Sequence, residues 1–113
     1  MSTVTIGVSS RTEVKRRMAA AFKGKPQGSR ISFASAALLL RVLTKHRLEL
    51  LGAMCSAGPL SLREAARRVG RDVKRVHGDV HALLNAGVLR KTQDGQIEFP
   101  YDAVRVEFEL KAA

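Results

Sequence analysis

The chain has 113 residues, which suits one ordinary domain with one hydrophobic core. Hydrophobic residues make up 45%, but only four Phe and one Tyr are aromatic and Trp is absent, so the core must be mostly Leu, Val and Ala; that favours helices over a β-sandwich. Twenty Lys and Arg against ten Asp and Glu leave a net charge of +10, a field that favours a polyanion, either nucleic acid or an anionic membrane surface.

In chain order, Val4, Ile6 and Val8 alternate with Thr3, Thr5 and Gly7, the period of a short strand. Ser10 followed by Glu13 is a capping box that opens a helix with Val14, Met18, Ala21 and Phe22 on one face. Gly24 ends it, and Lys25 to Ser29 reads as a loop. Ile31-Ser32-Phe33 offers a second short strand. From Ser35 the pattern is helical and rich in Leu, and Thr44 can cap a further helix holding Leu48, Leu50, Leu51 and Met54. One bent helix and two separate ones both fit. Ser56-Ala57-Gly58-Pro59 stops the run.

Ser61 with Glu64 is a second capping box. Its helix turns Leu62, Ala65, Ala66 and Val69 inward and Arg63, Arg67 and Arg68 outward. Gly70-Arg71 makes a tight turn, and Asp72 caps the next helix, whose stripe is Val73, Val76, Val80, Leu83 and Leu84. Gly87 follows as a left-handed helix end. Residues 88–92 and 96–99 flank Asp94-Gly95, the strongest short hairpin signal, and Pro100 closes that hairpin. Val104, Val106, Phe108 and Leu110 then alternate with Arg105, Glu107 and Glu109, which predicts a half-buried strand in need of a partner. Val4, Ile6 and Val8 offer the same alternation.

The order helix, helix, short turn, helix, hairpin over residues 44–100 is that of a winged helix-turn-helix, in which the helix after the turn enters the major groove of DNA. The expected fold is therefore mainly α with a small β component (α+β). It divides into an N-terminal strand-helix extension over 1–34 that serves dimerisation, the winged helix-turn-helix over 35–100, and a C-terminal strand over 101–113. With the core stripe centred on Val76 and Val80, the opposite face of the last helix holds Lys74, Gly78 and His81, flanked by Arg75 and His77. Lys74 and Arg75 can reach phosphates or guanine edges. Gly78 costs roughly 1 kcal/mol of helix stability relative to Ala; close approach to a DNA backbone and an incidental surface glycine both account for it. Arg63, Arg67, Arg68 and Arg71 can grip phosphates, or form a solvated face. Arg90 and Lys91 lie on the first strand of the hairpin.

Residues 38–104 resemble the MarR-like winged-helix DNA-binding proteins found as antitoxins beside TumE-type toxins. The resemblance is carried by the run from Leu43 to Leu51, by Gly58 to Ala66, by Gly70 to His77, and by Asp79-Val80, Leu83, Gly87-Val88 and Pro100-Tyr101-Asp102. It implies operator binding and a cognate toxin partner. That family often has a basic residue where this chain has Gly78, a departure from the pattern.

Other chemistries find little support. His77 and His81 have the i, i+4 spacing of helical zinc pairs, but no Glu follows His77, and His46 is the only other histidine; no metal or cofactor is expected. Cys55 has no CxxC partner and reads as a small core residue; a lone cysteine also suits a reducing compartment. Asp79 and Glu64 stand as isolated carboxylates, Glu64 being already used as a cap, and no Gly-rich phosphate loop follows a strand. No apolar signal segment or membrane-length run is present. These readings point to a cytoplasmic transcriptional regulator, not an enzyme, with duplex DNA and a second copy of itself as partners and no membrane role. The stand-alone repressor, the autoregulating antitoxin, and a winged helix used for protein or RNA contact all remain open.

Overall fold

A computed structural model of the chain describes residues 2–22 and 29–110. Within them, five helices combine with a three-stranded sheet and a two-stranded hairpin in an α+β arrangement. The expected helix stop at Gly24 and the loop through Gly28 lie outside the described residues, as does the side chain of Phe22.

Strand β1 (Thr3–Val8) leads into helix α1 (Arg11–Phe22), which returns to strand β2 (Arg30–Phe33). β2 runs parallel to β1, with Ile6 opposite Ile31, as expected of strands joined by a helical crossover. The C-terminal strand β5 (Ala103–Val106) pairs with the other side of β1, also parallel, placing Val4 opposite Val104 and Ile6 opposite Val106. The two ends of the chain are thus joined within one subunit. Asp102 pins the junction: its carboxylate accepts from the Ser2 backbone N–H at 2.8 Å and from the Ser56 hydroxyl at 2.7 Å. Alternation in 104–110 had suggested a strand running to Leu110, but regular pairing ends at Val106. The last ladder bond is Glu107 N–H to the Ile6 carbonyl, 3.0 Å, after which β1 has only two residues left.

The alternative of one bent helix after Ser35 is settled in favour of two, α2 (Ala36–Val42) and α3 (Lys45–Met54). Each starts on a hydroxyl: Ser35 Oγ accepts from Leu38 N–H and Thr44 Oγ1 from Arg47 N–H. Helices α4 (Leu62–Val69) and α5 (Val73–Asn85) follow. Both end in the same way. Gly70 and Gly87 take positive φ, and the next residue, Arg71 or Val88, donates back to the carbonyl five residues earlier, Ala66 or Leu83. A glycine meets this left-handed requirement without strain.

The hairpin strands are β3 (Arg90–Lys91) and β4 (Ile97–Glu98). Its loop is one residue longer than Asp94-Gly95 alone. Thr92 N–H bonds to the Gln96 carbonyl, Gly95 N–H returns to the Thr92 carbonyl, and Gly95 takes φ +80, so the connection is Gln93-Asp94-Gly95. Leu60 adds a third chain to this ladder, exchanging two 2.8 Å bonds with Ile97.

One hydrophobic cluster joins the parts. Val4, Ile6, Leu50, Leu51, Met54, Val76 and Leu83 are fully enclosed, and Phe99 stacks edge-on against Tyr101 beneath the hairpin. Ala65 and Ala66 are buried where α4 meets α5, their small side chains letting the helices close together. Four residues of the expected apolar helix faces lie further out. Val73, in the first turn of its helix, and Leu48 are each 39% exposed, Val14 is 38% and Met18 59% exposed.

Candidate functional site

The basic residues singled out from sequence sit on α4, the turn after it, α5 and the hairpin, and the carboxylates among them decide which charges are free. Asp79 is not isolated. From the flank of α5 it accepts Arg71 Nη1 at 2.7 Å and Arg47 Nε at 3.1 Å, while Arg47 Nη1 also donates to the Val42 carbonyl at 3.0 Å. The three side chains are 14%, 18% and 22% exposed respectively. Burial works against ionisation of Asp79, but the bonds from Arg71 and Arg47 outweigh it and hold its carboxyl below the ordinary value. Arg71 is therefore a strut joining the α4–α5 turn to α5, not a freely reaching cation. The link to Arg47 was invisible in the sequence because the two positions lie 32 residues apart.

Glu64 is the second such carboxylate. Its backbone N–H meets Ser61 Oγ at 3.1 Å, as the capping box requires, but its side chain turns forward. Arg67 forks onto it, with Nε at 2.8 Å from Oε2 and Nη2 on Oε1, and Arg68 Nε lies 3.2 Å from Oε1. These bonds, Arg67 first, pull the Glu64 carboxyl down to about 2. The i, i+3 and i, i+4 spacing could have announced both pairs. On the hairpin, Arg90 is tied across the ladder to Glu98 at 2.6 Å.

Arg63, Lys74, Arg75 and Lys91 are exposed, and none of them is ion-paired to a carboxylate among the described residues. Lys74 and Arg75 stand in the first turn of α5. Asp72 occupies the N-cap without a side-chain cap bond, so its predicted capping role rests on backbone geometry alone. One turn on, a Cβ added to Gly78 would meet nothing within 4 Å, so no packing within the subunit demands a glycine there. The result is a bare stretch of helix backbone between cationic and imidazole side chains.

The rings of His77 and His81 lie against each other, with centroids 4.1 Å apart and planes tilted by 43°. They line a groove of about 200 Å³ between α5 and the hairpin, with Lys91 on the hairpin side and Leu62, Val80, Leu84 and Ile97 as apolar lining. Lys91 thus shares a surface with α5, while Arg90 is occupied by Glu98. Cys55 lies elsewhere, half-buried; burial and then the Asp102 charge raise its thiol pKa, the opposite of what a nucleophile needs. Among the described residues no group of three His, Cys, Asp or Glu could hold a metal ion, and no helix is long and apolar enough to cross a membrane.

The HVO_A0114 family profile matches residues 42–106, more than half of the chain, from the end of α2 to the end of β5. No curated protein and no solved structure matches it.

Proposed function

We propose that this chain, which belongs to the HVO_A0114 family, is a winged helix-turn-helix protein that binds duplex DNA and regulates transcription in the cytoplasm. The observation that carries the reading is the exposed face of α5. Lys74, Arg75 and the open backbone at Gly78 stand free of carboxylates, beside a short hairpin that presents Lys91. In this reading α4 and α5 are the helix-turn-helix, α5 enters the major groove, and the Leu60-supported hairpin is the wing. Arg63 contacts phosphate. Arg67 and Arg68 do so from a posture pre-set by Glu64. The protein acts by binding, without catalysis.

Substitution on the two helices tests this. Lys74→Ala and Arg75→Ala each weaken specific binding by about 1–3 kcal/mol if the side chain reads a base. Arg67→Ala weakens binding to all sequences alike. A change of base preference in Arg67→Ala, with none in the other two, would reverse the orientation assigned to α5.

We further propose a homodimer built on the N-terminal elements. Val14 and Met18 on α1 and Leu40 on α2 are apolar and exposed in the single subunit, on elements other than those assigned to DNA. A two-fold protein matches a two-fold operator. Light scattering at tens of micromolar should report twice the 12.3 kDa chain mass; a monomer there would remove the dimer from the account. An autoregulating antitoxin is the second reading. It draws on β5, which lies at an edge of the sheet and continues into exposed Phe108 and Leu110 flanked by Glu107 and Glu109, a surface suited to a basic protein partner.

A further inference from the structure

The groove between α5 and the hairpin joins two features that duplex binding alone does not require. On one wall the rings of His77 and His81, one helical turn apart, are in tilted contact with centroids 4.1 Å apart. Lys91 of β3 lines the same groove. The other elements that close it contribute Leu62 from α4, Gly95 from the loop and Ile97 from β4, none of which can titrate. Gly95 puts no side chain into the groove.

The groove thus brings two imidazoles and an ammonium to one surface. Imidazole changes charge between about pH 5 and 8. An anion entering the groove favours the protonated form of both rings. A phosphodiester has the required charge and acceptor oxygens. We infer that the groove is a site for one phosphate of the nucleic-acid backbone, occupied with uptake of protons by the His77–His81 pair. The inference rests on the duplex-binding reading of α5 and the hairpin. It adds that DNA affinity is set by pH as well as by salt, so that mild acidification strengthens the grip.

The test is fluorescence anisotropy of the full chain with a labelled duplex at constant ionic strength, at pH 8 and pH 6. Uptake of one proton tightens binding by up to about tenfold per pH unit across the titration. The wild-type chain should therefore bind about three- to tenfold more tightly at pH 6. His77→Gln combined with His81→Gln should bring the ratio of the two affinities close to one, whatever the absolute affinity. Neither ring is buried, so the core is untouched. His46→Gln, a substitution on α3 outside the groove, should keep the wild-type ratio. A wild-type ratio near one, or a ratio that survives the double substitution, overturns the proton-coupled site and leaves duplex binding standing. Absence of duplex binding at both pH values overturns both.

Discussion

Asp79 shows how a single side chain orients the surface assigned to DNA. It holds Arg71 from the α4–α5 turn and Arg47 from α3, so the pose of α5 depends on one carboxylate. Asp79→Asn leaves two half-buried guanidinium groups with a neutral partner and should destabilise the fold by about 2 kcal/mol. Urea denaturation at pH 7 reads this, and a loss below about 0.5 kcal/mol would mean that solvent satisfies both arginines. The sign of the pH dependence follows from the lowered carboxyl. A depressed folded-state value means the contribution is present above the unfolded value near 4 and lost as pH falls through the folded one. Variant and wild type should converge in that acid range. The sequence reading left Asp79 isolated, because only the packing of α3 against α5 brings it a partner from so far away. Glu64 is the opposite case: both its arginines are one helical turn away, and spacing alone predicts them.

Elements were legible wherever a local rule governs them. Caps at Ser10, Ser35, Thr44 and Ser61 and left-handed glycines at 70 and 87 set helix boundaries through bonds made within a few residues. The hairpin loop falls on residues 93–95, between the stretches 88–92 and 96–99 expected to flank it, with Gly95 supplying the left-handed position. The pairing of the termini follows from their shared alternation, but its parallel sense does not, since alternation is the same in either direction. β5 covers one edge of β1, whose Val4 and Ile6 lie wholly inside the core. Deleting residues 103–113 should therefore expose that edge and yield a chain that aggregates or melts without cooperativity. Thermal denaturation followed by circular dichroism checks it. A truncated protein that is soluble and melts as sharply as the full chain would make β5 dispensable to the fold and leave partner docking as its role.

At the scale of the whole molecule, the proposed partner is argued from composition and the proposed contact face from the unpaired charges. The net charge of +10 is a property of the full chain, but the exposed cations without a carboxylate partner include Arg63 on α4, Lys74 and Arg75 on α5 and Lys91 on β3, the last lining the histidine groove. Sequence periodicity found that face of α5 because helix geometry alone puts Lys74 and Gly78 opposite Val76 and Val80. It could not find that Arg71 and Arg90 are already held, because Asp79 and Glu98 reach them from other parts of the fold. The most direct measurement of the central claim is duplex affinity as a function of salt. With about six phosphates neutralised per DNA-binding unit, log K should fall linearly with log salt at a slope of about −5. No duplex binding at low salt, or binding indifferent to salt, would contradict it.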